Sequence, residues 1–464
     1  MPSTAALRFA AVALAVAACT FQGVYVRSAR LRVFTATVTE LLSRPAAPLV
    51  HLPAAWSSDE LESLKSIIRE RSIPTILGGQ AADLGVPPAN DGICTHPYLR
   101  LDVTGRAVPK CILECESYLG AKKANVTIDL ALKNSALKPE GLAKFIYFRD
   151  YLKGGQDGDA GDADGKLQAR IGKLLASPRL EAAARELYGL SDQGVVVPHM
   201  LYVNLFTPGQ QLLVHTDVPT FVGIQRRDLP TTFLFDLRHQ QALEDYRLRI
   251  ATAVTFIDVA GSGQEQSQSA GNFTGGQLSV FPAGPFGPLR QFEPVHGEGV
   301  MIDADTVYHR VEQVKTQKHG REEAAAIFDT QNTTAQFQAE SGEWTLVEPD
   351  GRVAARYPED RIRVSVSWKA FVFDSEAERE AWAQGKAPKS GAPALDVPTA
   401  LGISSERMVA AGLLTAEETR AAGGEEYTRL MGVGMWTRFL AHHFRFGDSW
   451  EAAWQKAKER LGGG

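Results

Sequence analysis

The sequence predicts an α+β protein in which a β-sandwich or jelly roll is flanked by helical N-terminal and C-terminal regions. Between residues 195 and 373, short runs rich in β-branched and aromatic residues alternate with turns rich in Gly, Pro and Asp. Before and after this segment, apolar residues recur at the spacing of amphipathic helices. The chain has 464 residues, of which 44% are hydrophobic and 22% charged, so it is long enough for more than one layered region.

Charge and cysteine content exclude two broad classes of protein. The net charge of −5 supplies no general attraction for nucleic acid, so we expect no nucleic-acid partner. There are four cysteines, one of which is Cys19 near the N-terminus. This number is too small for a disulfide framework to be the main source of stability.

Residues 1–34 are predicted to be a targeting or membrane-anchor segment. Residues 1–39 contain no Asp or Glu, and residues 9–26 are almost entirely apolar. Four interpretations of this segment stay open: a short signal anchor, a lipoprotein signal ending at Cys19, an organellar transit peptide, or a helix packed on the fold. The arginines that follow residue 26 favour membrane attachment through residues 9–26 with the body in the cytoplasm.

The next segment, 35–194, is predicted to be a mainly helical region. One helix begins after Ser57, which has capping-box spacing to Glu60. A second covers residues 167–175, and a third follows Ser177 and ends at Gly189. The intervening acidic stretch 154–165 lacks the ligand order of an EF-hand, so we interpret it as a solvated loop.

Segment 195–374 is predicted to be the jelly-roll domain, and segment 375–464 a helical C-terminal region. The helical pattern after residue 374 includes a Trp-rich apolar face at residues 436–454 and the pair His442-His443, which we assign to packing and solvent contact. The strands are predicted at residues 195–206, 211–216, 231–236, 250–259, 277–282, 299–303 and 361–373.

Three residues of this domain form a candidate metal site. His215 and Asp217 stand two residues apart in a strand pattern, which turns both side chains to one face. His309 follows an apolar run much later in the chain. Two histidines and one carboxylate leave three coordination positions open, which is the arrangement of non-haem Fe(II) oxygenases. The same ligands would also suit Zn(II).

The segments around these residues resemble the Fe(II)- and 2-oxoglutarate-dependent dioxygenases, especially the prolyl 4-hydroxylase-like branch. Residues 208–217 look like the family's G-x-x-L-x-x-H-x-D strand, and residues 275–281 look like its GG-x-L-x-x-F strand. His296 and His319 are rival third ligands, but only His309 stands in the family's H-x-V-x-x-V context. The resemblance covers about residues 198–373.

The resemblance implies a double-stranded β-helix core and a hydroxylase that uses Fe(II), 2-oxoglutarate and O2 and releases succinate and CO2. Ascorbate could serve such an enzyme as a further reductant. The substrate is expected to be a peptidyl residue, for example a prolyl residue, or a small organic molecule. Residues 218–250 and 315–360 are expected to form lids that select it.

The resemblance also implies residues that bind the co-substrate. Arg363 and Ser365 look like the family's R-x-S pair. An arginine suits this role because a guanidinium on a strand can bind both oxygens of a carboxylate. Tyr202 is a further candidate. Arg363 follows His309 by 54 residues instead of the usual ten or so, which a hairpin inserted at 344–357 would explain. The alternatives to Arg363 are Arg361, Lys315, Lys318 and Arg321.

Two other functional classes stay open at this level. A non-catalytic, membrane-attached jelly-roll binding module would keep the metal triad but need no co-substrate arginine. A zinc-dependent hydrolase would use the same ligands, although no glutamate stands beside a ligand as a general base. Separately, Cys94, His96, Cys111 and Cys115 could bind zinc, but their spacing is unlike the common zinc motifs, so we interpret the cysteines as reduced thiols.

Overall fold

The structure is a computed structural model that describes most of the central part of the chain. The predicted leader 1–34, Cys94, Cys115 and the Trp-rich segment 436–454 with His442-His443 lie outside the described residues. Within the described residues, no helix is both long and apolar enough to cross a bilayer. The described ranges are 44–76, 97–101, 107–111, 146–152, 162–224, 240–257, 273–284, 287–318, 321–329 and 332–413, with the single positions 36, 39, 40, 144, 234, 235, 237, 238 and 415.

The helices precede and follow the main run of strands. In chain order they are α1 (Ser58–Arg69), α2 (Asp162–Leu175), α3 (Pro178–Tyr188), α4 (Glu376–Ala383) and α5 (Val397–Ala410), and a 3-10 turn covers Glu359–Arg361.

The strands begin well before residue 195. In chain order they are β1 (Leu49–Leu52), β2 (Ser72–Pro74), β3 (Pro97–Leu101), β4 (Ala107–Cys111), β5 (Phe148–Tyr151), β6 (Val195–Phe206), β7 (Leu212–His215), β8 (Thr220–Phe221), β9 (Arg247–Ile257), β10 (Thr274–Gly275), β11 (Leu278–Phe281), β12 (Arg290–Phe292), β13 (Gly299–Asp303), β14 (Tyr308–Val311), β15 (Val314–Lys315), β16 (Gln317–Lys318), β17 (Arg321–Glu322), β18 (Thr334–Gln338), β19 (Glu343–Val347), β20 (Val353–Pro358) and β21 (Arg363–Phe373).

Two antiparallel sheets build the core. The main sheet has seven strands in the order β1-β13-β9-β21-β6-β5, with β8 beside β9, and the minor sheet has the order β12-β11-β14-β7. Phe206 and Phe256 of the main sheet share one buried apolar cluster with Val280 and Val311 of the minor sheet. The sheets therefore pack face to face, an arrangement consistent with the predicted jelly roll.

The three N-terminal helices cover the outer face of the main sheet. Outward-facing residues of β21 such as Val366 and Trp368 lie in one cluster with Ile67 of α1 and Ile171 of α2. The Trp368 indole N–H donates to the carbonyl of Leu175 at 2.8 Å. The inner face of the sheet is thus left for side chains that point toward the minor sheet.

Several predicted elements are confirmed. Helix α1 has the capping box, in which Ser57 accepts from the Glu60 N–H and the Glu60 carboxylate accepts from the Ser57 N–H. Helix α3 ends at Gly189 in the left-handed conformation. The predicted hairpin is present as β19 and β20, and it extends a sheet in the order β2-β18-β19-β20.

One strand prediction is wrong, and several boundaries differ. In the predicted strand 231–236, Leu234 and Phe235 are helical. Leu234 and Leu237 stand at helical spacing and share a buried apolar cluster, so packing overrides the β-propensity of the run. Helix α2 begins at Asp162, within the predicted loop 154–165, and β7 ends at His215, before Asp217.

The N-terminal region also contributes strands to the main sheet. β1 pairs with β13, and β5 pairs with β6 at the opposite edge. Each of these strands has four residues, which is too short for a clear alternating pattern. The edges of the main sheet therefore come from residues upstream of 195.

Candidate metal and co-substrate site

The minor sheet brings the two predicted histidine ligands together. His215 on β7 is the cross-strand partner of His309 on β14, and their ring centroids are 4.3 Å apart. Asp217 lies two residues beyond β7, where its backbone N–H donates to the carbonyl of Ala304 at 2.7 Å. One ligand atom from each of the three side chains lies within 4.8 Å of the others.

Hydrogen bonding prepares His309 for metal binding. Its Nδ1 donates to the carbonyl of Val307 at 2.9 Å, which leaves Nε2 as the unprotonated nitrogen. Burial lowers the pKa of His309, so its ring stays neutral near pH 7. His215 Nε2 is 3.9 Å from Asp217 Oδ1. Two imidazoles and a carboxylate form a donor set that fits a divalent transition metal.

Lys369 of β21 contacts the carboxylate of this cluster. Its Nζ donates to Asp217 Oδ2 at 2.5 Å. Burial alone would raise the pKa of Asp217, but Lys369 and the two histidines hold it well below its usual range. Sequence reasoning assigned no role to Lys369. The signal was present, because Lys369 continues the polar face of β21 that carries Arg363 and Ser365.

Arg363 is a buried cation with unsatisfied hydrogen-bonding capacity. Its side chain is 1% exposed, and the guanidinium lies about equally far from the rings of Phe206 and Phe256, at 5.1 and 5.2 Å. Nε donates to the carbonyl of Gly276 at 2.6 Å, and Nη1 donates to Ser365 Oγ at 2.9 Å. Nη2 is buried and has no hydrogen-bond partner among the described residues. Burial lowers the pKa of Arg363 to about 9.

The predicted Gly-Gly strand makes room for this arginine. Gly275 and Gly276 both have positive φ, at +78° and +69°. A Cβ at Gly276 would lie 3.1 Å from Cδ of Arg363. The pair thus lets the backbone approach the guanidinium closely, while the unbonded Nη2 stays available for a carboxylate oxygen.

Tyr202 and an unpredicted arginine lie on the same inner face. Tyr202 is buried, and its ring centroid is 5.7 Å from Lys369 Nζ and 4.6 Å from the guanidinium carbon of Arg149. Arg149 Nε donates to Asn204 Oδ1 at 2.8 Å, and Nη2 donates to the Tyr147 hydroxyl at 2.7 Å. Arg149 lies in the four-residue strand β5, and Tyr147 directly precedes it. A strand this short has no clear alternating pattern, so the sequence gave no signal for either residue.

The rival residues lie elsewhere or outside the described side chains. His296 does not belong to the metal cluster, and His319 is outside the described residues. Arg361 pairs with Glu323 at 3.6 Å. Lys315 and Arg321 are exposed, and the side chain of Lys318 is outside the described part of the structure.

A buried charge network supports the loop between β13 and β14. Arg247 Nη2 donates to Asp303 at 2.8 Å, and it also contacts Asp305. Burial and the neighbouring Asp305 raise the pKa of Asp303 to about 7. This loop supplies two carbonyls to the metal cluster: that of Ala304 accepts from the Asp217 N–H, and that of Val307 accepts from His309 Nδ1. The network therefore positions the metal cluster without belonging to it.

Comparison with known proteins gives matches among solved structures only. No protein-family model and no curated protein matches the chain. The chain is similar to an oxidoreductase of the 2OG-Fe(II) oxygenase family from Burkholderia pseudomallei, with 12% identity, coverage of 73% of this chain and 90% of the other, and a TM-score of 0.29. It is also similar to a prolyl-4-hydroxylase from Pseudomonas putida, with 14% identity, coverage of 73% and 97%, and a TM-score of 0.25.

A third match is HygX from Streptomyces hygroscopicus, solved with nickel, 2-oxoglutarate and hygromycin B bound. It is 10% identical, the coverage is 76% of this chain and 93% of the other, and the TM-score is 0.29. TM-scores this low do not establish a shared fold.

Proposed function

We propose that this protein is an Fe(II)- and 2-oxoglutarate-dependent oxygenase that hydroxylates a peptidyl or small organic substrate. His215, Asp217 and His309 would hold the metal, and Arg363 with Ser365 would bind the distal carboxylate of 2-oxoglutarate. When bound there, Fe(II) and 2-oxoglutarate supply oxidation by O2 with release of succinate and CO2. The protein positions these groups and keeps water away from them.

The observation that carries this proposal is the state of Arg363. A fully buried guanidinium without a carboxylate partner in the described residues is costly, and its unbonded Nη2 leaves donors for an incoming anion. It lies between the same two sheets that carry the metal cluster. A non-catalytic binding module would need no such arginine, and a zinc hydrolase would need a general base, which no glutamate beside a ligand supplies. The buried arginine together with this ligand set therefore favours the oxygenase.

The test measures metal binding, 2-oxoglutarate binding and succinate release on the same protein. We expect Fe(II)-dependent succinate formation when peptide and metabolite pools are supplied. His309→Ala should lower metal affinity by more than about 100-fold, since even the partners of metal ligands are typically worth about 10- to 100-fold.

The matched control is His296→Ala, which removes the rival histidine and should change neither metal affinity nor succinate release. Turnover supported by Zn(II) without 2-oxoglutarate would instead identify a hydrolase. Metal binding without any 2-oxoglutarate binding would identify the non-catalytic module.

A further inference from the structure

Arg149 is, besides Arg363, a second arginine on the inner face of the main sheet without a carboxylate partner in the described part of the chain. It stands on β5, directly opposite Asn204 on β6, and it points to the inner face of the main sheet. The next residue, Asp150, pairs with Arg71 instead. Burial lowers the pKa of Arg149, but the neighbouring tyrosines and, to a smaller extent, the Asp217 carboxylate raise it, and the result is a raised pKa.

The proposed function leaves a positive charge on this face unbalanced. A metal dication and Arg363 carry three positive charges, and Asp217 and the 2-oxoglutarate dianion carry three negative charges. Lys369 and Arg149 then add two further positive charges. No described carboxylate besides Asp217 contacts either of them. A partly buried site with an excess of positive charge is stabilised when an anion enters it.

The geometry of Arg149 favours a planar anion. Its guanidinium carbon lies 4.6 Å from the ring centroid of Tyr202 and 5.3 Å from that of Tyr147. The two rings contact the guanidinium through its faces, so a ligand can reach it only through the N–H groups in its plane. Nε and Nη2 each make one hydrogen bond, and Nη1 makes none with the described residues. A carboxylate matches such donors because its two oxygens lie in one plane.

Arg149 is also separate from the position assigned to the co-substrate. Arg149 pairs with Asn204, whereas Arg363 pairs with Phe206 two residues along β6. The two arginines stand on β5 and β21, which flank β6, so their backbones are about 10 Å apart across the sheet. One 2-oxoglutarate molecule that binds the metal and Arg363 leaves Arg149 free for another ligand.

We infer that Arg149 forms a second anion-binding position beside the metal site, which binds a carboxylate of the primary substrate. The inference rests on the proposed function and narrows its substrate class to organic acids. Lys369 contributes to the positive potential there, while its hydrogen bond is directed at Asp217. The Asn204 and Tyr147 oxygens hold the Arg149 guanidinium in place for the incoming acid.

The test compares an acid with its neutral amide. Benzoate and benzamide are titrated into protein loaded with Ni(II) and 2-oxoglutarate, and binding is followed by ligand-observed NMR. We expect the wild-type protein to bind benzoate at least about tenfold more tightly than benzamide, because a charge-assisted pair is lost with the amide. In Arg149→Gln the two affinities should become equal while 2-oxoglutarate affinity is unchanged.

Arg170→Gln is the matched control, since it removes one positive charge at a site where the arginine bonds to Ser63 on the outer helices. It should keep the preference for benzoate. Equal affinities in the wild-type protein, binding of neither probe, or a preference that survives Arg149→Gln would overturn the inference. Loss of 2-oxoglutarate binding in Arg149→Gln would also overturn it, by assigning Arg149 to the co-substrate.

A second measurement does not depend on how the variant folds. With Mn(II) in place of Ni(II) in the wild-type protein, bound benzoate should show strong paramagnetic relaxation. The Arg149 guanidinium lies over the Tyr202 ring, and that ring is 5.7 Å from the Lys369 Nζ that donates to Asp217. Unaffected benzoate would place its site elsewhere and overturn the inference. If the wild-type protein bound no 2-oxoglutarate at all, the proposed function itself would fail, which is a different result from loss of the acid preference.

Discussion

At the scale of single residues, Lys369 determines how Asp217 can act as a ligand. The ammonium group occupies Oδ2 and leaves Oδ1 toward His215. In Lys369→Met we expect Asp217 to bind metal through both oxygens and take a position that 2-oxoglutarate needs. Affinity for 2-oxoglutarate should fall by about 10- to 100-fold, while metal binding persists. Titration with Ni(II) measures metal affinity, and titration of the Ni(II)-loaded protein with 2-oxoglutarate measures co-substrate affinity. Lys315→Met, at an exposed lysine, is the control.

Arg363→Lys tests the assignment of the co-substrate arginine. The substitution keeps the charge but loses the planar pair of donors, so the 2-oxoglutarate concentration needed for half-maximal succinate formation should rise by about 10- to 100-fold. An unchanged requirement would transfer the role to Arg361, Lys318 or Arg321. Isothermal titration with 2-oxoglutarate gives the same comparison without turnover.

The residue scale also shows what the sequence could predict of the site. His215 and Asp217 were recognisable because their two-residue spacing predicts one shared face of a strand. In the structure Asp217 lies beyond β7, and its backbone N–H donates to the carbonyl of Ala304. Arg363 and Ser365 followed from the same alternation on β21. Arg149 was not recognisable, since it lies on a short edge strand with no periodic pattern and acquires its surroundings only when β5 pairs with β6.

At the scale of elements, the turn between β10 and β11 connects backbone geometry to co-substrate binding. In Gly276→Ala the new methyl group would press on Arg363 Cδ, so 2-oxoglutarate affinity should fall by about tenfold and stability by about 1–3 kcal/mol. Gly342→Ala is a matched control, because Gly342 has a similar φ of +66° but open space around it. It should lose stability alone, and equal effects of both variants on 2-oxoglutarate binding would contradict this account.

Elements were predictable where local pattern and tertiary packing agree. The capping box of α1, the glycine cap of α3 and the β19–β20 hairpin are all determined by nearby residues. Leu234 and Phe235 were assigned to a strand because propensity cannot anticipate the apolar cluster that makes them helical. The contribution of β1 and β5 to the main sheet depends on partners far away in sequence, which a local pattern does not contain.

At the scale of the whole molecule, the buried Asp303 makes stability depend on pH. Its pKa is raised from 3.8 to about 7 in the folded protein, so the folded state holds a proton that the unfolded state releases above about pH 4. The contribution of Asp303 to stability therefore falls as pH rises from about 4 to about 7. Urea unfolding at pH 5 and pH 7.5 measures this effect. The free energy of unfolding should fall less between the two pH values in Asp303→Asn than in the wild-type protein.

Asp192→Asn serves as the control for this measurement, because Asp192 is exposed and makes none of the contacts that join Arg247, Asp303 and Asp305. Its pH dependence should equal that of the wild-type protein. Identical slopes for Asp303→Asn and wild type would show that Asp303 is ionised in the folded protein across this range.

The pairing of β1 with β13 has a consequence for biosynthesis. About 250 residues separate these strands, so at about 5–20 residues per second the ribosome delivers β13 about 10–50 s after β1. During this interval the apolar face of α1, with Leu64, Ile67 and Ile68, has no sheet to cover it. Nascent chains that stop short of β13 should therefore recruit chaperones through this N-terminal helix, whereas full-length chains bury it.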